Sequence, residues 1–133
     1  MGSGLWWQQL GLVMAGGALG SALRFLIGDA LLRSVGQGFP WGTLTANFIG
    51  AFVAGYLLVW LQQRGGNVVL LRAFLVIGLL GGLTTFSSLM LETLVFARND
   101  RAALVPLYLG VSVVGGMFLV WLGARLAESA RAL

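Results

Sequence analysis

Four stretches of this sequence, residues 2–23, 34–63, 73–91 and 102–124, contain no charged side chain. A helix crosses the hydrocarbon core of a bilayer with about 20 mainly apolar residues, so each stretch is long enough to span one. Lipid offers backbone N–H and C=O groups no partners, and a helix satisfies its own; the stretches therefore predict four transmembrane helices. With 59% of its residues hydrophobic and 9% charged, against about 25% charged in a soluble domain, the chain has too little polar surface to cover itself in water.

The pattern predicts an all-α membrane protein, a single domain over residues 1–133 with spans at about 5–32, 42–62, 71–97 and 102–126. Short connections leave no room for a soluble domain and make sequence neighbours the expected neighbours in space. The N-terminus lacks a basic n-region and its apolar run exceeds an h-region, so the first helix is expected to stay in the mature protein.

Cysteine and histidine are both absent, which removes disulfides, thiolate chemistry and the commonest metal ligand. With only four carboxylates besides, no nucleophile and base pair or metal cluster can be assembled, and the chain is not expected to be an enzyme. The net charge of +4 comes from arginines near helix ends, where guanidinium groups meet headgroups. So few scattered charges do not suit nucleic acid.

Lys and Arg in short loops set membrane orientation. Arg64, Arg72, Arg125 and Arg131 flank one side, and Arg33, Arg98 and Arg101 the other. The near balance allows either a weakly signalled fixed topology or insertion both ways up, with oppositely inserted copies pairing as an antiparallel homodimer. A pair would also supply walls that four short helices lack.

The 21 glycines exceed the usual share of about 7%, and small residues four apart let membrane helices approach closely. Gly16 and Gly20 have that spacing, as do Gly42, Ala46 and Gly50, with Ala51 and Gly55 beside them. Polar side chains within apolar runs need partners or a wet cavity. Thr43 and Asn47 share one helix face and Tyr108 and Ser112 another, fitting either interhelical hydrogen bonds of about 0.6 kcal/mol each or a polar track.

In the third stretch, Gly81 and Gly82 are followed by Leu83, Thr84, Thr85, Phe86, Ser87 and Ser88. Glycine costs a helix about 1 kcal/mol relative to alanine, and paired glycines before two β-branched residues predict a break near 81–86. Broken helices offer carbonyls to a cation and N–H groups to an anion. Arg24, Asp29 and Glu92 lie close enough to interfaces to snorkel, and Arg24 could equally lend positive potential to an anion-collecting vestibule. No carboxylate sits mid-run, which weighs against a carboxylate-driven antiporter.

Three segments together, Gly16 to Phe25, Gly42 to Gly50 and Gly81 to Ser87, resemble the signature segments of the Fluc fluoride channels, also called CrcB proteins. The resemblance covers all four helices in order. It implies a multi-pass inner (plasma) membrane protein that confers fluoride resistance as an antiparallel dual-topology homodimer, exporting fluoride passively through two pores. It also implies a structural sodium ion at the dimer centre, held by the main-chain carbonyls of Gly81 and Thr84. The pore Asn corresponds to Asn47, the first pore Phe to Phe86, and the fourth-helix Tyr and Ser to Tyr108 and Ser112. Ser87, Ser88 and Thr43 are additional pore donors on this reading, and Arg24 belongs to the vestibule. The family commonly has a second phenylalanine where this chain has Leu89. A proton-coupled transporter of the small multidrug resistance type shares the four-helix, dual-topology plan, but the glutamate expected in its first helix is missing here.

Overall fold

A computed structural model describes residues 2–133, and among them every regular element is a helix. The first span is α1 (Ser3–Val35), the second α2 (Trp41–Gln62), and the fourth α6 (Leu104–Arg131). The third span runs from Val68 to Arg98 in pieces: α3 (Val68–Arg72), a wide-turned π-helical stretch (Ala73–Leu80), α4 (Gly81–Leu83) and α5 (Phe86–Arg98). All four spans are long and apolar enough to cross a membrane. α1 stops at Gly36, whose φ of 92° is one that side-chain-bearing residues rarely adopt, and Pro40 leads into α2.

Glycine positions decide how the spans pack. A Cβ on Gly16 would strike the carbonyl of Phe74, and one on Gly20 the carbonyl of Leu79; in return, Gly82 lies against the backbone of Gly17 and Ser21. Residue numbers rise together along this contact, so α1 and the third span run parallel. Gly115 lies against the Phe48 ring and Gly55 against the backbone of Val120, so residue numbers rise together along α2 and α6 as well. The closest partners are therefore first with third and second with fourth, not the sequence neighbours that short loops suggest. α1 and α2 still touch where Gly42 comes against Gly28; a Cβ there would lie 2.8 Å from the Gly28 Cα.

The predicted break is present. Leu83 ends α4, and Thr84 (φ −88°, ψ 152°) and Thr85 (φ −151°, ψ 119°) are extended before α5 begins. It divides the packing: the half before Thr84 lies on α1, and α5 on α6. Ala46, Leu57, Leu61, Leu80 and Leu83 form one buried cluster. Leu44, Leu89, Phe96 and Tyr108 form the other.

Most large apolar side chains point outward, among them Trp7, Met14, Phe25, Val114 and Met117. In water such a surface would drive aggregation. Against lipid tails it is the expected boundary of a membrane bundle.

Candidate functional site

The break gathers the polar side chains of an otherwise apolar molecule. The Thr85 N–H donates to Asn47 Oδ1 at 2.8 Å, and Asn47 Nδ2 donates to the Thr85 carbonyl at 3.2 Å. Since an N–H can only donate, this pair fixes which end of the Asn47 amide is oxygen. In a continuous helix the Thr85 N–H would bond the Gly81 carbonyl four residues back. Asn47 therefore holds the unwound segment and releases that carbonyl.

Thr85 also starts the next helix. Its hydroxyl accepts from the Ser88 N–H at 3.2 Å, an N-cap, and lies 3.3 Å from Ser87 Oγ and 3.2 Å from Ser88 Oγ. Thr84 stays tied to the turn before it, its Oγ1 donating to the Leu80 carbonyl at 2.8 Å. Thr84 Cγ2 fits over Gly50, where an added Cβ would collide with it.

One turn from Asn47 on α2, Thr43 Oγ1 donates to Glu92 Oε1 at 2.5 Å; Tyr108 of α6 donates to the other oxygen, Oε2, at 2.5 Å. Three spans thus meet on one carboxylate. Tyr108 is fully buried, with the rings of Phe39 and Phe96 nearly perpendicular to its own at centroid distances of 5.2 and 5.8 Å. Burying its ring keeps the hydroxyl in one place.

Two cavities adjoin this cluster. One, of about 500 Å³, is bordered by Asn47, Gly81, Thr84, Thr85, Phe86 and Ser112, with Leu89 at its edge. Ser112 Oγ is buried there without a hydrogen-bond partner among the described residues. The other, of about 580 Å³, is bordered by Arg24, Asp29, Thr43 and Glu92. Arg24 reaches inward at this point: its Nε donates to the Gly82 carbonyl at 3.1 Å, placing a cation at the C-terminal end of α4, where carbonyls lack partners. Asp29 is held by Arg33 at 2.9 Å.

Asn47, Thr43, Tyr108, Thr84, Ser87 and Ser88 are thus joined by hydrogen bonds to the break or to Glu92, and Ser112 shares the Asn47 cavity. Phe86 borders the same cavity but is 73% exposed, and Gly81 is exposed beside it. Leu89 is 8% exposed and packs with Leu44, Phe96 and Tyr108, so its side chain fills core at the cavity's edge.

Sequence reasoning missed Glu92, read as a group able to snorkel, whereas it takes two hydrogen bonds from other spans. Its one local signal is that Ser88 and Glu92 lie four apart on one face of α5. The link from Arg24 to Gly82 spans 58 positions and has no local signal.

The donors suit a small anion. Asn47 retains a second N–H, Ser112 has an uncommitted hydroxyl, and Phe86 has a ring edge of positive quadrupole character. For a cation, the carbonyls of Gly81, left without its helical partner by the break, and of Thr84, in the extended segment, are hard oxygens, the ligand type that holds sodium in broken membrane helices.

The family described as CrcB-like protein, Camphor Resistance (CrcB), matches residues 11–124. The chain is 58% identical over 128 residues to the fluoride-specific ion channel FluC of Xanthomonas euvesicatoria, covering 96% of each protein. To the fluoride-specific ion channel FluC of Xylella fastidiosa it is 58% identical over 126 residues, 95% of this chain and 88% of the relative. The protein of that name from Thermus thermophilus is 45% identical over 115 residues, 86% of this chain and 91% of the relative.

Proposed function

The chain belongs to the CrcB family, and from that premise we propose that it is a passive, fluoride-selective channel of the bacterial inner membrane, not an enzyme. The observation that carries the reading is the cavity at the break, where the free Ser112 hydroxyl and the remaining Asn47 N–H border one space. Fluoride is small and strongly hydrated, so donors must replace its water before it will enter, yet hold it loosely enough for release. Neutral donors meet both conditions. No lysine or arginine borders that cavity, and Arg24 stands instead in the neighbouring vestibule, where it attracts anions without trapping them.

The working unit on this reading is an antiparallel homodimer. Non-helical backbone in a bilayer persists only where protein or a wet cavity covers it, and one copy leaves Gly81 and Phe86 exposed beside Thr84 and Thr85. An inverted copy laid over the break covers them. It also gives each unit two symmetry-related pores, lined by Thr43, Asn47, Phe86, Ser87, Ser88, Tyr108 and Ser112. The Gly81 and Thr84 carbonyls of both copies would hold a structural sodium ion, whose charge adds to the positive potential at the centre. The residues around the break fit such an ion by donor type, and the Asn47 clasp is what frees the Gly81 oxygen for it.

A second reading rests on Glu92. A carboxylate reached by donors from two other spans is a component a proton-coupled transporter of the small multidrug resistance type would use. A fluoride electrode separates the two. Protein reconstituted in liposomes should release fluoride down its gradient with no pH gradient imposed, and leave chloride inside. Fluoride release only when a proton gradient is applied would support the transporter instead.

A further inference from the structure

Away from the break, a groove of about 390 Å³ lies between α2, the start of the third span and α6. Leu58, Leu61, Val76 and Val120 wall it, and Gln62 and Arg72 are its polar residues. Gln62 is the last residue of α2 and Arg72 lies in the first turns of the third span, so both stand where helices leave the hydrocarbon. The apolar walls run inward from there.

Arg72 is exposed and has no salt bridge or side-chain hydrogen bond among the described residues. Nearby, the Arg64 guanidinium lies 3.9 Å from the Trp60 ring centroid, a pair at home among headgroups. The one acidic side chain near this end, Glu128, is engaged by Arg125 at 3.4 Å. This end is therefore cationic without internal neutralisation, and basic pockets between transmembrane helices take anionic lipid headgroups.

We propose that this groove binds one anionic phospholipid, with an acyl chain between Leu58, Val76 and Val120 and the phosphate on Arg72 and Gln62. A second copy of the chain is the poorer occupant. Inverted, it would bring the end bearing Arg33, Arg98 and Arg101 to the level of Arg72, cation against cation, with Asp29 already paired to Arg33. The inference depends on the membrane reading and is independent of which ion is conducted.

The test uses full-length protein in nanodiscs of equal phosphatidylglycerol and phosphatidylcholine, with retained lipid counted by native mass spectrometry. Phosphatidylglycerol should be retained over phosphatidylcholine by about fivefold, the weight of one arginine at a membrane surface. Arg72→Gln should bring that ratio close to one, while Arg131→Gln, at the far C-terminus, should leave it unchanged. Leu58→Trp fills the groove without touching Arg72 and should lower retention of both lipids, which keeps the test available if Arg72→Gln fails to fold. Equal retention of the two lipids by the unaltered protein would overturn the proposal. So would equal effects of the two arginine variants, or a Leu58→Cys chain that cross-links to a second copy through the groove.

Discussion

Asn47 commits both ends of its amide to Thr85, which makes it a structural clasp as well as the pore donor proposed above. Asn47→Asp separates these roles: a carboxylate still accepts the Thr85 N–H, but it faces the Thr85 carbonyl without a proton to give and repels an anion. Losing a buried hydrogen bond to a charged group costs up to about 3 kcal/mol, so fluoride efflux should fall by about a hundredfold in a liposome assay while the protein still folds. Tyr108→Phe keeps the ring between Phe39 and Phe96 and leaves Glu92 Oε2 short of a donor. That should lower stability by about 1–3 kcal/mol in denaturant titration. Spacing made Thr43 with Asn47 and Tyr108 with Ser112 legible as pairs, because helical periodicity is local. Glu92 and Arg24 were not legible in the same way: their partners lie on other spans, and a charge at the edge of an apolar run looks the same whether it turns outward or in.

Within the third span, the glycines and the threonines divide the work. Gly81 and Gly82 are helical, and Gly82 lets α1 come into backbone contact; it is the β-branched Thr84 and Thr85 that are extended. The sequence pattern located the break because it weighed both features. It did not reveal the π-helical stretch from Ala73 to Leu80, an apolar run with no breaker before Gly78, nor which helices pair, since a glycine does not name its partner. Gly20→Val would drive a side chain into the Leu79 carbonyl and the Leu83 N–H. Overpacking of this kind costs about 1–3 kcal/mol and should appear as a lower melting temperature in detergent. Thr85→Val removes the cap on α5 but spares the Asn47 clasp, which uses only Thr85 backbone atoms, and should cost about 1 kcal/mol.

On the proposed reading, the whole molecule is incomplete as a single copy. The four apolar spans were legible from charge-free length alone, because lipid imposes that requirement on any chain that crosses it. In the proposed pair, the covering of Phe86 and of the unwound backbone is a property of two chains, and arginines divided almost evenly between the two ends only permit it. The chain contains no native cysteine, so an introduced one reports on a single position. In membranes, Gly81→Cys chains should form disulfide-linked dimers on oxidation, while Gly65→Cys chains, whose loop would lie on opposite faces in the two copies, should not link to each other. Efficient Gly65→Cys dimers, or Gly81→Cys chains that stay monomeric, would contradict the inverted pairing of broken helices on which the pore depends.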